Sequence, residues 1–303
     1  MAYENFIPEV WSKKIEHDLE KMCVYAEDCN RKYEGNVKEC GDTVHILGVG
    51  KPTIHTLARA NADGNIADAE TVAGTDTILE IDQIRYFNFK VGDIDKAQAV
   101  NGVLDELTRE ADEGLADEVD QHLSKLHLQI TETEEVKDAE GNVTTPASVS
   151  SVPASGVAFK AQDALTKDNV LDLLDDGQQI LFEHNVKSTT EVVVVIPPAV
   201  NKLFRKAYLK EDTDNSAILK NGKVAVYAGM TIKMSNNVHK DTDGTYHMQM
   251  KTKRALAYAQ PVRHVEPYRP QNSFADAVKG FILFGAKVVR TQEIVDLQAK
   301  IAA

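Results

Sequence analysis

The chain has 303 residues, of which 43% are hydrophobic, with three cysteines and a formal net charge of −13. That length and apolar content suffice for a real core in one large domain or two, which excludes a disordered tail or a small stapled module. No apolar run approaches the roughly 20 residues of a membrane-spanning helix, and the acidic balance opposes a sequence-independent grip on a polyanion.

The N-terminal MAYENFIPEVWSKKIE lacks the basic-then-apolar order of a secretion signal, so a cytosolic setting is expected. Pro8 to Tyr33 predicts an amphipathic helix, with Val10, Ile15, Leu19, Met22, Cys23 and Ala26 at helical spacing. Phe6 and Trp11 place large apolar groups at its start, where they need a surface to dock against, on a neighbour or on the same domain. Cys23, Cys29 and Cys40 lack the close pairing of zinc ligands, so free thiols are expected.

Asp42 to Phe89 reads as two long extended runs around the turn Asp63-Gly64-Asn65. Two strands alone are marginal in water, so this hairpin must rest on its own fold or on a neighbour. Gly48-Val49-Gly50-Lys51 invites a phosphate-loop reading, which fails because His45 and Pro52 occupy positions that require Gly and Ser or Thr.

The chain is organised around Ile78 to Leu128. TILEIDQIRYFNFKVG predicts a strand, and Asp93 to Leu128 predicts one helix, because Ile94, Ala97, Val100, Leu104, Leu107, Ala111, Leu115, Val119, Leu123 and Leu126 form a single stripe. Such a helix would be about 50 Å long, more than a compact domain usually holds. Gly102 and Gly114 interrupt it, each at a cost of about 1 kcal/mol relative to alanine. They mark either a bend or close packing against a neighbouring strand.

Downstream, Ile130 to Phe159 reads as a weakly structured connection or an extended hairpin. Thr166 to Glu183 predicts a helix with Thr166 as its N-cap and Asn185 closing its C-terminus. EVVVVI is a buried strand stopped by Pro197-Pro198, and Ala199 to Leu209 a short basic helix. After a polar loop, KVAVYAGMTIKM predicts strand, Gly229 bend, strand. A turn at Asp241 to Gly244 precedes Tyr246 to Gln260, Ser273 to Lys279 predicts a short helix, and FILFGAKVVRTQEIVDL one final strand. Helices and strands interleave without a βαβ rhythm, so the class is α+β.

Little in this pattern points to chemistry. Asp241 and Asp243 echo a calcium loop, but His239 and Met250 stand where carboxylate ligands belong. His122 and His127 are five apart, a spacing that chelates poorly, and His239 and His247 flank a turn where solvated side chains are expected. No nucleophile elbow occurs, and the acids from Asp105 to Asp120 read as the wet face of a helix. No catalytic residue, cofactor or metal is expected, although a triad assembled in space would leave no local trace.

The order of these pieces resembles the major capsid proteins of tailed double-stranded DNA phages, the Hong Kong 97-type capsid fold. The resemblance rests on IRYFNFKVGDIDKA entering the long helix, VVVVIPP, GKVAVYAGMTIKMSNN and the closing FADAVKGFILFGAKVVRTQEI. Where members often carry Arg-Pro-Glu, this chain has Arg290-Thr291-Gln292-Glu293. The resemblance implies an N-arm at 1–41, an extended loop at 42–91, a peripheral domain at 92–165 and 245–303 that contains the spine helix, and an axial domain at 166–244. It implies intersubunit contacts at Phe6, Trp11, Asp63, Gly64 and Asn65, a spine bend at Gly102 and Gly114, and an axial tip with Asp212, Asp214 and Asn215 near the five-fold and six-fold axes.

The implied function is self-assembly, without catalysis, of pentamers and hexamers into an icosahedral head shell around packaged double-stranded DNA. The implied partners are a separate scaffolding protein and a portal, with no membrane and no specific DNA contact; the implied location is the virion, after assembly in the host cytoplasm. The alternatives are an encapsulin-type bacterial compartment of the same fold and a soluble α+β enzyme.

Overall fold

The computed structural model describes residues 24–32, 43–49, 52–56, 68–72, 74–92, 103–133, 136–137, 143–145, 147–210, 226–271 and 275–302. A short helix α1 (Val24–Glu27) leads to strands β1 (Thr43–Val49), β2 (Gly74–Glu80) and β3 (Gln83–Gly92), then to the long helix α2 (Val103–Lys125). Strands β4 (Leu128–Thr133), β5 (Val136–Lys137), β6 (Val143–Thr145), β7 (Ser148–Pro153) and β8 (Ala158–Leu165) precede helix α3 (Val170–Glu183). Strand β9 (Val192–Ile196) and helix α4 (Pro198–Lys210) follow, then β10 (Val226–Tyr227), β11 (Met230–Met234), β12 (His239–Lys240) and β13 (Tyr246–Thr252). The chain closes with β14 (Leu256–Tyr268), β15 (Ala275–Val288), a 3-10 turn (Thr291–Glu293) and β16 (Ile294–Ile301). The architecture is α+β, as its unrhythmic order implies.

The main core is built on a seven-stranded sheet of order β10-β11-β9-β13-β16-β8, with β12 paired to β13. Val192 to Ile196 are all buried, as suits a run of β-branched residues in a central strand covered on both faces. Helix α3 packs on β16 and β8 and against α4. It ends as its sequence predicts. Asn185 adopts φ 64, and the amides of Asn185 and Val186 donate to the carbonyls of Phe182 and Leu181 at 2.9 and 3.1 Å, which closes the helix with a Schellman motif. Its start lies later than expected. The Thr166 amide donates to Asn169 Oδ1 at 2.7 Å, so the threonine ties down the preceding loop instead of capping a helix that begins at Val170.

A second, three-stranded sheet has the order β14-β15-β3. Its central strand overturns the helix expected at Ser273 to Lys279: from Ala275 onward the chain pairs with β3 on one side and β14 on the other. Ladder bonds on both edges, with Ala277 and Val278 buried, outweigh a weak local helical pattern. The single final strand is also two. β15 ends at Val288, and the turn at Thr291–Glu293 carries the chain into the other sheet, where β16 runs between β13 and β8. The segment after the long helix takes the hairpin form, β4 pairing with β7 and β5 with β6.

Helix α2 buries Leu115, Ala116, Val119 and Leu123 along one stripe. It stops at Lys125, one turn short of the expected Leu128, because Leu128 already begins β4. Its expected start at Asp93, Gly102 and residues 8–23 of the helix expected over 8–33 lie outside the described residues; in the described part that helix stops at Glu27, because Asn30 already pairs with Ala257 of β14. The base of the β1–β2 hairpin rests on its own subunit, where Val44, Ile46, Leu79 and Ile81 pack on Ala257, Ala259 and Leu283.

Two glycines in this arrangement differ in kind. A Cβ on Gly285 would overlap the Glu80 carbonyl oxygen and lie 2.9 Å from Ile81 Cα, where the chain crosses β15 between β2 and β3. A Cβ on Gly114 would meet nothing within 4 Å among the described residues, so no described strand packs there. Gly285→Ala is therefore expected to destabilise the subunit by about 1–3 kcal/mol, and Gly114→Ala to stabilise it by roughly 1 kcal/mol. Denaturant unfolding under conditions that prevent association measures both, and a Gly285→Ala subunit as stable as the parent would disprove the close crossing.

Candidate assembly surface

Strand alternation turns Val44 and Ile46 inward and leaves Leu47 outward, 80% exposed. Ile78, opposite His45 in the register, also faces out, and Ile54 beyond β1 is 91% exposed. On β3, Ile84 and Tyr86 face solvent while Phe87 and Phe89 pack against Val265 and Val278. Each outward apolar side chain forgoes about 25 cal/mol for every Å² left in water. Exposed large apolar side chains also stand elsewhere among the described residues, at Leu107, Val152, Phe159 and Phe182 among others, so the hairpin and β3 carry only part of the outward apolar surface.

Behind this surface, α1 is fixed to its own subunit. The Tyr25 amide donates to Asp120 Oδ1 of α2 at 3.0 Å, and Asn30 bridges onto β14, donating to the Leu256 carbonyl at 2.8 Å and accepting from the Tyr258 amide at 3.1 Å. The Lys251 ammonium, fully buried, lies beneath the Tyr25 ring with its nitrogen 5.7 Å from the centroid. It donates to the Tyr25 carbonyl at 3.5 Å and the Cys29 sulfur at 3.4 Å. Cys29 is a free buried thiol, while Cys23 and Cys40 lie outside the described residues; burial pushes the Cys29 pKa up, against the opposing charge of Lys251. The described end of the N-terminal segment thus docks at home.

His239 and His247, expected in solvent, are buried. They are cross-strand partners on β12 and β13, and the turn between them folds Asp241 inward beneath β7. His247 donates from Nδ1 to Asp296 Oδ2 at 2.8 Å and from Nε2 to Asp241 Oδ2 at 3.2 Å, which requires the imidazolium. Burial opposes that charge, but the hydrogen bonds and charges of Asp296 and Asp241 hold its pKa above the ordinary value. His239 goes the other way: burial lowers it, outweighing Asp241. Burial raises the Asp296 carboxyl, yet hydrogen bonds from His127 and His247 bring it down to about 2. His127 donates from Nε2 to Asp296 Oδ1 at 3.1 Å and accepts at Nδ1 from Gln249 at 2.9 Å. Gln249 also donates to the carbonyls of Leu123 and Ser124 at the end of α2, groups the helix cannot satisfy itself.

This cluster brings a serine, a histidine and an aspartate together without forming a catalytic triad. His239 Nε2 and Asp241 Oδ1 each lie 2.7 Å from Ser151 Oγ, and Asp241 Oδ1 lies 3.2 Å from that same Nε2. A triad needs the carboxylate on the far ring nitrogen, leaving the serine to attack; here the serine hydroxyl donates to the carboxylate and is buried. Among the described residues, no group of three or more His, Cys, Asp and Glu is placed to hold a metal. The Asp243 side of the same turn stays exposed and pairs with Lys300 at 2.8 Å.

Of the residues expected at contacts, bend and tip, Phe6, Trp11, Asp63, Gly64, Asn65, Gly102, Asp212, Asp214 and Asn215 lie outside the described residues. Gly114 lies on the exposed side of α2. Sequence reasoning missed the His–Asp cluster; its one trace is the alternation His247, Gln249, Lys251 along β13.

Opposite pH signs follow. The Asp296 contribution, on the order of 2 kcal/mol, is present above the unfolded carboxyl pKa and is lost as pH falls toward about 2. The His247 contribution is full below the ordinary histidine pKa and is lost as pH rises through the higher folded value. Imidazole NMR titration of the dissociated subunit is expected to place His247 above and His239 below the free value, and Asp296→Asn to bring His247 down. Coincident midpoints would refute the imidazolium.

No family model matches the sequence, and comparison with curated proteins finds no match either. Solved structures do match. A chain of Mycobacterium phage Che8 is 25% identical with a TM-score of 0.70, the match covering 98% of both chains. A chain in the capsid structure of cyanophage P-SCSP1u is 14% identical with a TM-score of 0.64, covering 88% of this chain and 85% of that one. The virus-like particle from Pyrococcus furiosus is 12% identical with a TM-score of 0.54, covering 95% and 98%. With its two larger sheets, long helix and outward apolar hairpin, this chain has the fold of phage capsid proteins.

Proposed function

We propose that the chain is a major capsid protein whose copies close, as pentamers and hexamers, into an icosahedral head shell around packaged double-stranded DNA. The observation that carries this is the likeness to the Che8 chain over 98% of both chains at a TM-score of 0.70. It embraces the long helix and the outward hairpin, the parts a free subunit has least use for. The role is structural, without catalysis; a separate scaffolding protein and a portal are its partners, no membrane is involved, and assembly takes place in the host cytoplasm before the shell becomes the virion. In this reading 1–41 is the N-arm, 42–91 the extended loop, 92–165 with 245–303 the peripheral domain and 166–244 the axial domain. Ladder pairing of β8, β13 and β16 with β9 and β11 in one sheet favours drawing the axial body more widely, to include those three strands. Gly102 and Gly114 are the bend of the spine, and Asp212, Asp214 and Asn215 its axial tip.

A compartment that loads enzymes instead of DNA is the second reading, favoured by the likeness to the Pyrococcus furiosus particle. Purified protein, alone or co-expressed with a scaffolding protein, is expected to give closed particles hundreds of ångströms across by electron microscopy; monomers or small rings under both conditions would refute the shell. Nucleic acid inside particles from infected cells supports the head, and an enzyme cargo the compartment. Deleting Asp63, Gly64 and Asn65 is expected to leave the unfolding midpoint of the subunit unchanged and to weaken shells. A large loss of subunit stability would instead place the hairpin tip on its own chain.

A further inference from the structure

A cleft of about 740 Å³ opens between the end of α1, the base of the β1–β2 hairpin and the turns that flank β14 and β15. In a chain of net charge −13, its wall gathers Arg31, Lys32, Lys253, Arg254 and Arg290. Arg254 and Arg290 share one oxygen of Glu293, at 3.2 and 2.9 Å, and the other oxygen of that buried carboxylate accepts from Thr252. Lys253 reaches the exposed Glu191 only at 3.7 Å. The Arg31 guanidinium lies over the Tyr258 ring. Leu47, outward on β1, forms an apolar lip at the mouth.

Copies of so acidic a chain repel one another at long range, so any contact between them needs local complementarity. Helix α2 offers the matching surface. Leu107, Glu110, Glu113 and Gly114 share its outer side at helical spacing: Leu107, Glu110 and Gly114 are exposed, and Glu113 is half-buried beside Arg109 at 3.4 Å. The open space over Gly114 lets another backbone approach there. A nucleic-acid backbone would satisfy the cations but leave the Leu47 lip in water; a helix face that carries a leucine among carboxylates satisfies both.

We propose that this basic cleft receives the Leu107–Glu113 face of α2 from a second copy of the chain. The proposal rests on the reading of the chain as a shell subunit. Lys32 and Lys253 pair with Glu110 and Glu113 across the contact, and Leu47 buries against Leu107.

The direct test is zero-length carbodiimide coupling of a mixture of unlabelled and ¹⁵N-labelled subunits. Mixed-isotope peptides that join Lys32 or Lys253 to Glu110 or Glu113 are expected whether association stops at small oligomers or proceeds to shells, so a failure of the shell reading is seen separately by microscopy. In the second arm, Lys32→Glu with Lys253→Glu is expected to reduce association roughly tenfold, as like charges at an interface do. Glu110→Lys with Glu113→Lys, mixed with it, is expected to restore association, and each variant to unfold with the parent's midpoint. Couplings confined to other sites, parental association of the reversed cleft, or loss without restoration would each overturn the proposal. Parental association with reduced nucleic-acid content would overturn it in favour of a phosphate backbone in the cleft.

Discussion

The polar face of β13 holds the subunit together. His247, Gln249 and Lys251 alternate with Met248 and Met250, and both rows are buried. The methionines join the main apolar core. The polar row spans the opposite side: His247 is held between two carboxylates, Gln249 satisfies the last carbonyls of α2, and Lys251 sits beneath Tyr25 of α1. A buried ammonium and imidazolium are expensive to desolvate, and removing one partner strands the other. The directionality of this row is its advantage, because hydrogen bonds fix the angle and register at which a helix meets a sheet more sharply than apolar contact does. A long helix that must present the same outer face in every copy of an assembly benefits from that fixation.

This row also explains which parts of the fold were legible. Features decided by neighbouring residues came through: the helix end at Asn185, the buried run Val192–Ile196, and the bend at Gly229, whose φ is positive. The stripe on α2 was legible for the same reason from Leu115 to Leu123, although Leu107, expected on it, is exposed. Features decided by distant partners were not. YHMQMKT reads as a strand with one wet side, and only Asp296, 49 residues from His247 and 169 from His127, turns that side into an interior. The stretch before Lys279 reads as helix until β3 and β14 supply ladders on both edges. The basic cleft was equally hidden, since its cations come from residues 31–32, 253–254 and 290 and only folding brings them together against the sign of the whole chain.

Charge is therefore distributed with a purpose that the net value conceals. Carboxylates coat the outer side of α2, cations collect in one cleft, and the strongest opposite charges are paired inside. Interior pairs such as His247 with Asp296 feel little of the salt that screens exposed pairs. Ionic strength thus reaches the exposed cleft and the outer side of α2 far more than the interior pairs. The outward apolar residues of β1 and β3 add an attraction that salt does not weaken, and the two together let association respond to conditions while the tile itself keeps its shape.

The last strand has a consequence for when such a tile comes into being. β16 pairs antiparallel with β13 and parallel with β8, between them, and it contributes Asp296 to the buried cluster. Until residues 294–301 emerge, at the roughly 5–20 residues per second of synthesis, both neighbours present open edges and His127 and His247 lack their shared carboxylate. The outward hairpin β1–β2 and helix α2 come earlier in the chain than this strand. The outward apolar residues are thus made before β16 closes the ladder between β13 and β8, and the order of the strands makes the pairing of β16 the step that gives the sheet its shape.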